Sequence, residues 1–243
     1  MPEGPSIVIL KEEARNFSGK KVIKVTGNSK AGIDRIKGKK LIELKSWGKH
    51  FLLCFKDFTV KIHFMLFGSY RINEKKDRPE RLGLRFKQGE LNFYACSVKF
   101  LEQPPGELYD WSADVMNEQW DPVKARKKLK ALPRLRVCDA LLQQDIFAGV
   151  GNIIKNEVLF RVKVHPESKL GKLPPKKLSD LIREARNYSF DFLGWKKAYV
   201  LKKNWLAHTK KTCSRCKIPL VKKHTGKTNR RSFFCTNCQL LYV

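Results

Sequence analysis

Residues 137–160 read VCDALLQQDIFAGVGNIIKNEVLF. Apolar residues recur three or four apart in Val137–Gln144 and again in Ile153–Phe160, the spacing of two helices. Between them lies Phe147-Ala148-Gly149-Val150-Gly151-Asn152. The two glycines permit a tight turn and a close backbone approach. Asn152 falls at the start of the second helix, where N–H groups without intrahelical partners can hold a phosphate. Taken alone, the stretch describes a plain helical hairpin with a Gly-rich connection equally well. Its surroundings decide between the two.

The same helical character extends on both sides, through Val123–Ala131 and through Lys176–Leu193, the latter introduced by Leu173-Pro174-Pro175. Upstream the pattern differs. A helix opens at Pro5 or Ser6, and Ile7, Val8, Ile9, Leu10, Ala14 and Phe17 follow at roughly helical spacing. Short β-branched or aromatic runs follow at Lys21–Thr26, Leu41–Ser46, His50–Phe55, Thr59–Phe64 and Leu91–Tyr94, separated by turn residues such as Gly38, Gly48, Asp57 and Gly89. Strands in sequence followed by helices in sequence describe an α+β multidomain chain. We expect an N-terminal helix and a β-sandwich or barrel over 1–103, a linker over 104–122, a helical domain over 123–209 and a small C-terminal module over 210–243.

That last module is too short to fill a core and needs a staple. It holds Cys213-x-x-Cys216 and Cys235-x-x-Cys238, separated by eighteen residues. Two such pairs across a hairpin can place four thiolates tetrahedrally around one structural Zn²⁺. His208 and His224 flank the site, but four cysteines already complete it. Two disulfides are the competing reading, and a reducing compartment disfavours them. Cys54, Cys96 and Cys138 stand in apolar contexts and read as small core residues.

Charge points to the partner. The 243-residue chain has 51 Lys plus Arg against 23 Asp plus Glu, a formal charge of 51 − 23 = +28. Residues 192–243 hold thirteen cations and no carboxylate side chain. Such a field favours a polyanion, and nucleic acid is the commonest one. The segment between the cysteine pairs, Lys222 to Arg231, puts a cluster of cations at the tip of a two-stranded finger, with a turn at Gly226 and strands at Ile218–Val221 and Ser232–Phe234. A hydrophobic content of 42% excludes wholesale disorder. No apolar run approaches the roughly 18 residues of a membrane span. The start lacks a basic segment followed by an apolar one, so no secretory signal is expected. The protein is expected to stay where it is made, cytoplasmic or nucleoid in a bacterium-like cell or nuclear in a eukaryotic one, and to act as a monomer without a membrane.

Pro2-Glu3-Gly4-Pro5, a Gly48-Lys49 hairpin, Gly149-Val150-Gly151-Asn152 and a terminal four-cysteine finger, in that order, resemble the formamidopyrimidine-DNA glycosylase/endonuclease VIII family. The resemblance covers nearly the whole chain and leans to the endonuclease VIII side. It implies a β-sandwich, then a helix–two-turn–helix domain with a zinc finger. It implies a bifunctional DNA glycosylase and abasic-site lyase acting on duplex DNA that contains damaged bases or abasic sites. With Met1 removed, Pro2 presents a secondary amine whose pKa near ~8, against ~10.4 for Lys, leaves far more of it neutral and nucleophilic at pH 7. Glu3 is placed to protonate the opening sugar. Carried over from the family, Lys49 contacts DNA beside the sugar and assists β-elimination. Asn152 binds phosphate. Arg230, five residues before Cys235, grips phosphates around the lesion and serves δ-elimination. Met65 with Leu66 and Phe67 fills the gap left by the extruded base, although part of this segment, Phe64 and Leu66, also reads as buried strand.

Leu66-Phe67 and the short segment 192–212, without a Gly-rich loop, favour oxidised pyrimidines. Preference for 8-oxoguanine or formamidopyrimidine is the alternative. Near Asp110-Trp111-Ser112 the sequence departs from endonuclease VIII, which has a DNA-contacting Arg there. A non-catalytic zinc-ribbon nucleic-acid-binding protein is the rival from another class, and it would have no use for a free N-terminal Pro.

Overall fold

The computed structural model describes residues 2–243. The chain divides into two compact units, Met1–Asp110 and Trp111–Val243. In the first, α1 (Gly4–Glu13) starts with Pro5 in its first turn and turns Ile7 and Leu10 into the core. Six strands follow: β1 (Lys24–Thr26), β2 (Glu43–Trp47), β3 (His50–Cys54), β4 (Thr59–Ile72), β5 (Leu82–Phe86) and β6 (Gly89–Leu101). They form one antiparallel sheet in the order β1-β5-β6-β4-β3-β2.

The two long strands, β4 and β6, belong to both halves of this sheet. The first part of β4 pairs with β3, and the first part of β6 pairs with β5. One core receives Phe51, Val60, Ile62 and Val98 from one half and Leu82, Leu84, Phe86 and Leu91 from the other. The expected series of short strands is thus corrected. Thr59–Phe64 and Leu91–Tyr94 are pieces of longer strands, and β5 was not anticipated. Its Gly83 and Arg85 dilute the apolar signal, and pairing with both neighbours supplies the order instead. The unit ends with α2 (Pro105–Leu108).

The second unit contains α3 (Pro122–Lys130), α4 (Val137–Ala140), α5 (Asn152–Arg161) and α6 (Pro175–Lys197). Asp121 caps α3, its carboxylate accepting from the Val123 and Lys124 amides at 2.8 and 3.0 Å. The helix expected over Val137–Gln144 stops after Ala140, because the chain turns on bonds such as Gln143 N–H to the Ala140 carbonyl at 3.2 Å. Gln144 then folds back, accepting from the Gly149 amide at 3.2 Å and donating to the Val150 carbonyl at 3.1 Å. That side chain closes the Gly-rich loop. Val137, Leu141, Phe147, Val150, Ile154, Val158 and Tyr188 share the core of the helices. A hairpin of β7 (Val221–Thr225) and β8 (Arg230–Phe234) completes the unit. Its strands sit slightly off the segments read from sequence, which placed them at Ile218–Val221 and Ser232–Phe234. Cys54, Cys96 and Cys138 are buried, as expected. Among the described residues no helix is long and apolar enough to cross a membrane.

Candidate active site

Pro2 and Glu3 lead directly into α1. Pro2 is half-buried, whereas Glu3 is 0% exposed and its carbonyl accepts the Ser6 amide at 2.8 Å. A carboxylate is seldom buried to this degree, and Glu3 adjoins Pro2 at the start of α1. Lys49 occupies the two-residue turn between β2 and β3, with Gly48 at φ +51°. The base of this hairpin is braced by rings. Trp47 lies 4.7 Å from Tyr109 and 5.6 Å from His50, and His50 lies 5.4 Å from His63. Trp47 Nε1 donates to the Asp110 carbonyl at 3.0 Å.

Burial, together with Lys61, His63 and Lys49, pushes His50 down to about 4. Burial and the same lysines also lower His63. Both rings are thus biased to the neutral form. On the same face, Lys45, Leu52, Lys61 and Lys99 stand in one cross-strand row. Burial and Lys99 lower Lys61. The crowding of like charge on this face favours an anion. Sequence reading missed the ring cluster, although Trp47 and His50 flank the quoted Gly48-Lys49 turn.

Met65, Leu66 and Phe67 lie where the pairing of β4 with β6 slips. Phe64 pairs with Cys96 and Ser69 with Tyr94, so residues 65–68 bulge opposite Ala95 alone. Phe64 is buried, but Leu66 is exposed and Phe67 is 84% exposed. Of the two residues also readable as buried strand, only Phe64 behaves so. Gly68 closes the bulge: a Cβ there would lie 2.8 Å from Phe64 Cβ and 2.9 Å from the Ala95 carbonyl oxygen.

In the second unit, Asn152 is the first residue of α5, after Gly151 at the N-cap. Its Nδ2 donates to the Arg231 carbonyl at 3.0 Å, while Oδ1 is buried without a hydrogen-bond partner. The structure therefore brings Asn152 against the residue that follows Arg230. Arg230 opens β8 opposite Thr225 and is exposed.

The finger tip is anchored by a residue that sequence reading did not single out. Asp139 on α4 is almost wholly buried, and its carboxylate accepts from Lys227 N at 2.9 Å, Thr228 N at 3.0 Å and Thr228 Oγ1 at 2.8 Å. Gly226, at φ +71°, leaves room for that carboxylate, which an added Cβ would strike. Nothing local marks Asp139, because its partners lie almost ninety residues downstream.

Cys213, Cys216, Cys235 and Cys238 have sulfur atoms all within 4.8 Å of one another, and Cys213 Sγ to Cys238 Sγ is 3.8 Å. Thiolates ~2.3 Å from a tetrahedral ion lie about 3.8 Å apart, so this cluster is positioned to coordinate a metal. The Cys216 amide points at Cys213 Sγ at 3.4 Å and the Cys238 amide at Cys235 Sγ at 3.5 Å.

Residues 1–100 match the model of the formamidopyrimidine-DNA glycosylase N-terminal domain, and residues 112–188 match that of the formamidopyrimidine-DNA glycosylase H2TH domain. The chain belongs to the formamidopyrimidine-DNA glycosylase/endonuclease VIII superfamily. Its relatives within that superfamily include an endonuclease 8-like 3 from Xenopus laevis, 27% identical over 229 residues, a match covering 88% of this chain and 35% of the relative. This chain thus spans about a third of the length of the first such relatives. A formamidopyrimidine-DNA glycosylase of Lactobacillus helveticus is 26% identical, with 86% of this chain and 85% of the relative covered. Among solved structures, the Lactococcus lactis formamidopyrimidine-DNA glycosylase bound to abasic DNA superposes with a TM-score of 0.86 at 21% identity, over 98% of this chain and 99% of that one. The same bacterial protein is similar to the same degree when bound to DNA containing N7-benzyl-Fapy-dG or an oxidised pyrimidine.

Proposed function

We propose that this protein is a bifunctional DNA glycosylase and abasic-site lyase of base-excision repair, acting on oxidised bases in duplex DNA. The observation that carries the reading is the pair at the start of α1: Pro2 adjoining a fully buried Glu3, in a chain that matches both domain models of the superfamily. With Met1 absent, the neutral Pro2 amine attacks C1′ of the extruded nucleotide and the glycosidic bond breaks as the base departs. Glu3 gives its proton to the sugar oxygen as the ring opens. The iminium so formed acidifies the adjacent sugar C–H, and loss of that proton expels the 3′ phosphate. A second elimination expels the 5′ phosphate. Lys49 serves the first elimination, and Arg230 with Asn152 holds the phosphates. Met65, Leu66 and Phe67 occupy the vacated stack. Zn²⁺, one per chain, is the metal that best suits four thiolates, and a closed four-sulfur site makes it structural.

Formamidopyrimidine-type purine lesions are the better-supported substrates. Both domain models bear that name, and a structural neighbour holds a formamidopyrimidine nucleotide. The pyrimidine preference drawn from Leu66-Phe67 and the short segment 192–212 has the weaker support, from the endonuclease 8-like relatives and a neighbour bound to an oxidised pyrimidine.

The deciding experiment is borohydride reduction in the presence of abasic DNA, which traps only a Schiff base. Wild-type protein should cross-link, and Pro2→Gly should lose the adduct by a hundredfold or more while still binding DNA. An unchanged yield in Pro2→Gly excludes Pro2 as the nucleophile, and intact mass reports whether Met1 has been removed. Excision measured side by side on formamidopyrimidine and oxidised-pyrimidine duplexes ranks the lesions.

A further inference from the structure

Helix α5 begins Asn152-Ile153-Ile154-Lys155-Asn156-Glu157, and Lys155, Asn156 and Glu157 are all buried. Lys155 is 0% exposed, a rare state for a lysine. Asn152, Lys155 and Asn156 are spaced i, i+3, i+4 and so share one helix face. That face grips three successive residues of β8, most densely at one carbonyl. The Arg231 carbonyl receives Asn152 Nδ2 at 3.0 Å, Lys155 Nζ at 3.3 Å and Asn156 Nδ2 at 3.3 Å. Lys155 Nζ also donates to Ser232 Oγ at 2.8 Å, which in turn meets Thr225 Oγ1 at 2.6 Å across the hairpin. Asn156 Oδ1 accepts the Phe233 amide at 3.1 Å. Uncharged amides at these sites would satisfy the strand as well. A fully buried lysine amine is rare and costly, so its presence needs a reason.

We propose that Lys155 is a positioning residue for Arg230 and thereby controls how far strand cleavage proceeds from β- to δ-elimination. This rests on the lyase reading above. The Arg230 guanidinium is exposed, so only its backbone can aim it. The Arg231 carbonyl belongs to the planar Arg231–Ser232 peptide, one residue beyond Arg230, and the ladder pairing Arg231 with His224 and Arg230 with Thr225 carries that fixed plane back to Arg230. Asp139 holds the chain on the other side of Arg230, at Lys227 and Thr228. Between these two anchors the arginine is delivered to one place. The Lys155 amine alone bridges the Arg231 carbonyl and the Ser232 hydroxyl. Without it, the carbonyl keeps two amide donors and the strand gains freedom.

The test uses full-length wild type, Lys155→Met, Arg230→Ala and the double variant on a duplex with one abasic site, under single-turnover conditions. The readouts are the ratio of δ to β products, metal content and amide hydrogen exchange over residues 229–234. Lys155→Met should retain its metal, lower the δ-to-β ratio at least fivefold and speed exchange at Ser232 and Phe233 at least tenfold. In the Arg230→Ala background it should change the ratio no further, since the two act as one unit. An unchanged ratio overturns the proposal, as does an equal fold-loss in the Arg230→Ala background, which would make Lys155 independent of Arg230. If Lys155→Met fails to fold, Ser232→Ala removes only the hydroxyl that Lys155 holds. It should lower the ratio in the same sense, and no change there also overturns the idea. Absence of any strand cleavage by wild type defeats the lyase reading, whereas unchanged exchange in Lys155→Met defeats the clamp itself.

Discussion

Two loops are proposed to enter the DNA, and they are built on opposite principles. The loop 65–68 bulges from β4 with its side chains in solvent: Met65 is 55% exposed and Leu66 52%. The finger tip at 226–229 is small and polar, and a buried carboxylate pins it by two amides and a hydroxyl. An apolar loop that fills a gap in a base stack needs surface more than a fixed shape. A loop that delivers a cation to a phosphate needs a fixed origin, since a hydrogen bond to a charged group depends on distance and angle. The contrast can be tested from both sides.

The largest effect should come from removing the metal site. Cys213→Ser should release the metal and unfold 210–243, because a short cysteine module folds only as it binds its ion. The check is metal content with hydrogen exchange. Full protection of β7 and β8 in the metal-free variant would show that the clamps alone sustain the finger.

Acid should act next, on the sheet that bears the apolar loop. His50 is held at about 4 when folded, against about 6.5 when unfolded. Its contribution to stability is therefore fully present above pH 6.5 and is lost as pH falls toward 4, because the unfolded chain takes up the proton first. The size is on the order of 3 kcal/mol across that window. In denaturant melts, wild type should lose more unfolding free energy between pH 7 and pH 4.5 than His50→Phe does, and equal losses would remove His50 as the cause.

Asp139→Ala should leave two amides of the tip without their acceptor, at about 1–3 kcal/mol of local stability. Arg230→Ala should lose a comparable 1.5–3 kcal/mol on lesion DNA. Lys222→Ala should weaken all DNA alike and mainly change the salt slope. The comparison sharpens if Asp139→Ala imitates Arg230→Ala on lesion DNA. It breaks if Asp139→Ala imitates Lys222→Ala.

The smallest change in stability should follow Phe67→Ala, within about 0.5 kcal/mol because the ring touches little of the fold. Excision of a damaged base should nevertheless fall severalfold, with cleavage of a pre-formed abasic site less affected. Equal loss on both substrates would separate Phe67 from the extrusion step.

Much of this protein could be read from residue order, where the signal is local. The two Cys-x-x-Cys pairs state a metal site by spacing alone, and the sulfur atoms do converge. The Gly-rich loop of 147–152 joins helical segments because glycine punctuates and apolar residues recur at helical spacing. Apart from β5, which carries no clear pattern, the strands were legible as existing but not in extent, since β4 and β6 owe their length to partners on either side. What the sequence hid is the polar interior. Lys155, Asn156 and Glu157 look like solvated helix positions, yet Glu157 accepts the amides of Leu206, Ala207 and His208, and its neighbours hold β8. Asp139 looks like an ordinary helix carboxylate, yet it carries the finger tip. An apolar side chain is assigned by its own chemistry and period. A polar one is buried only where a distant stretch of chain brings the matching donor or acceptor, and that meeting exists only in the folded molecule.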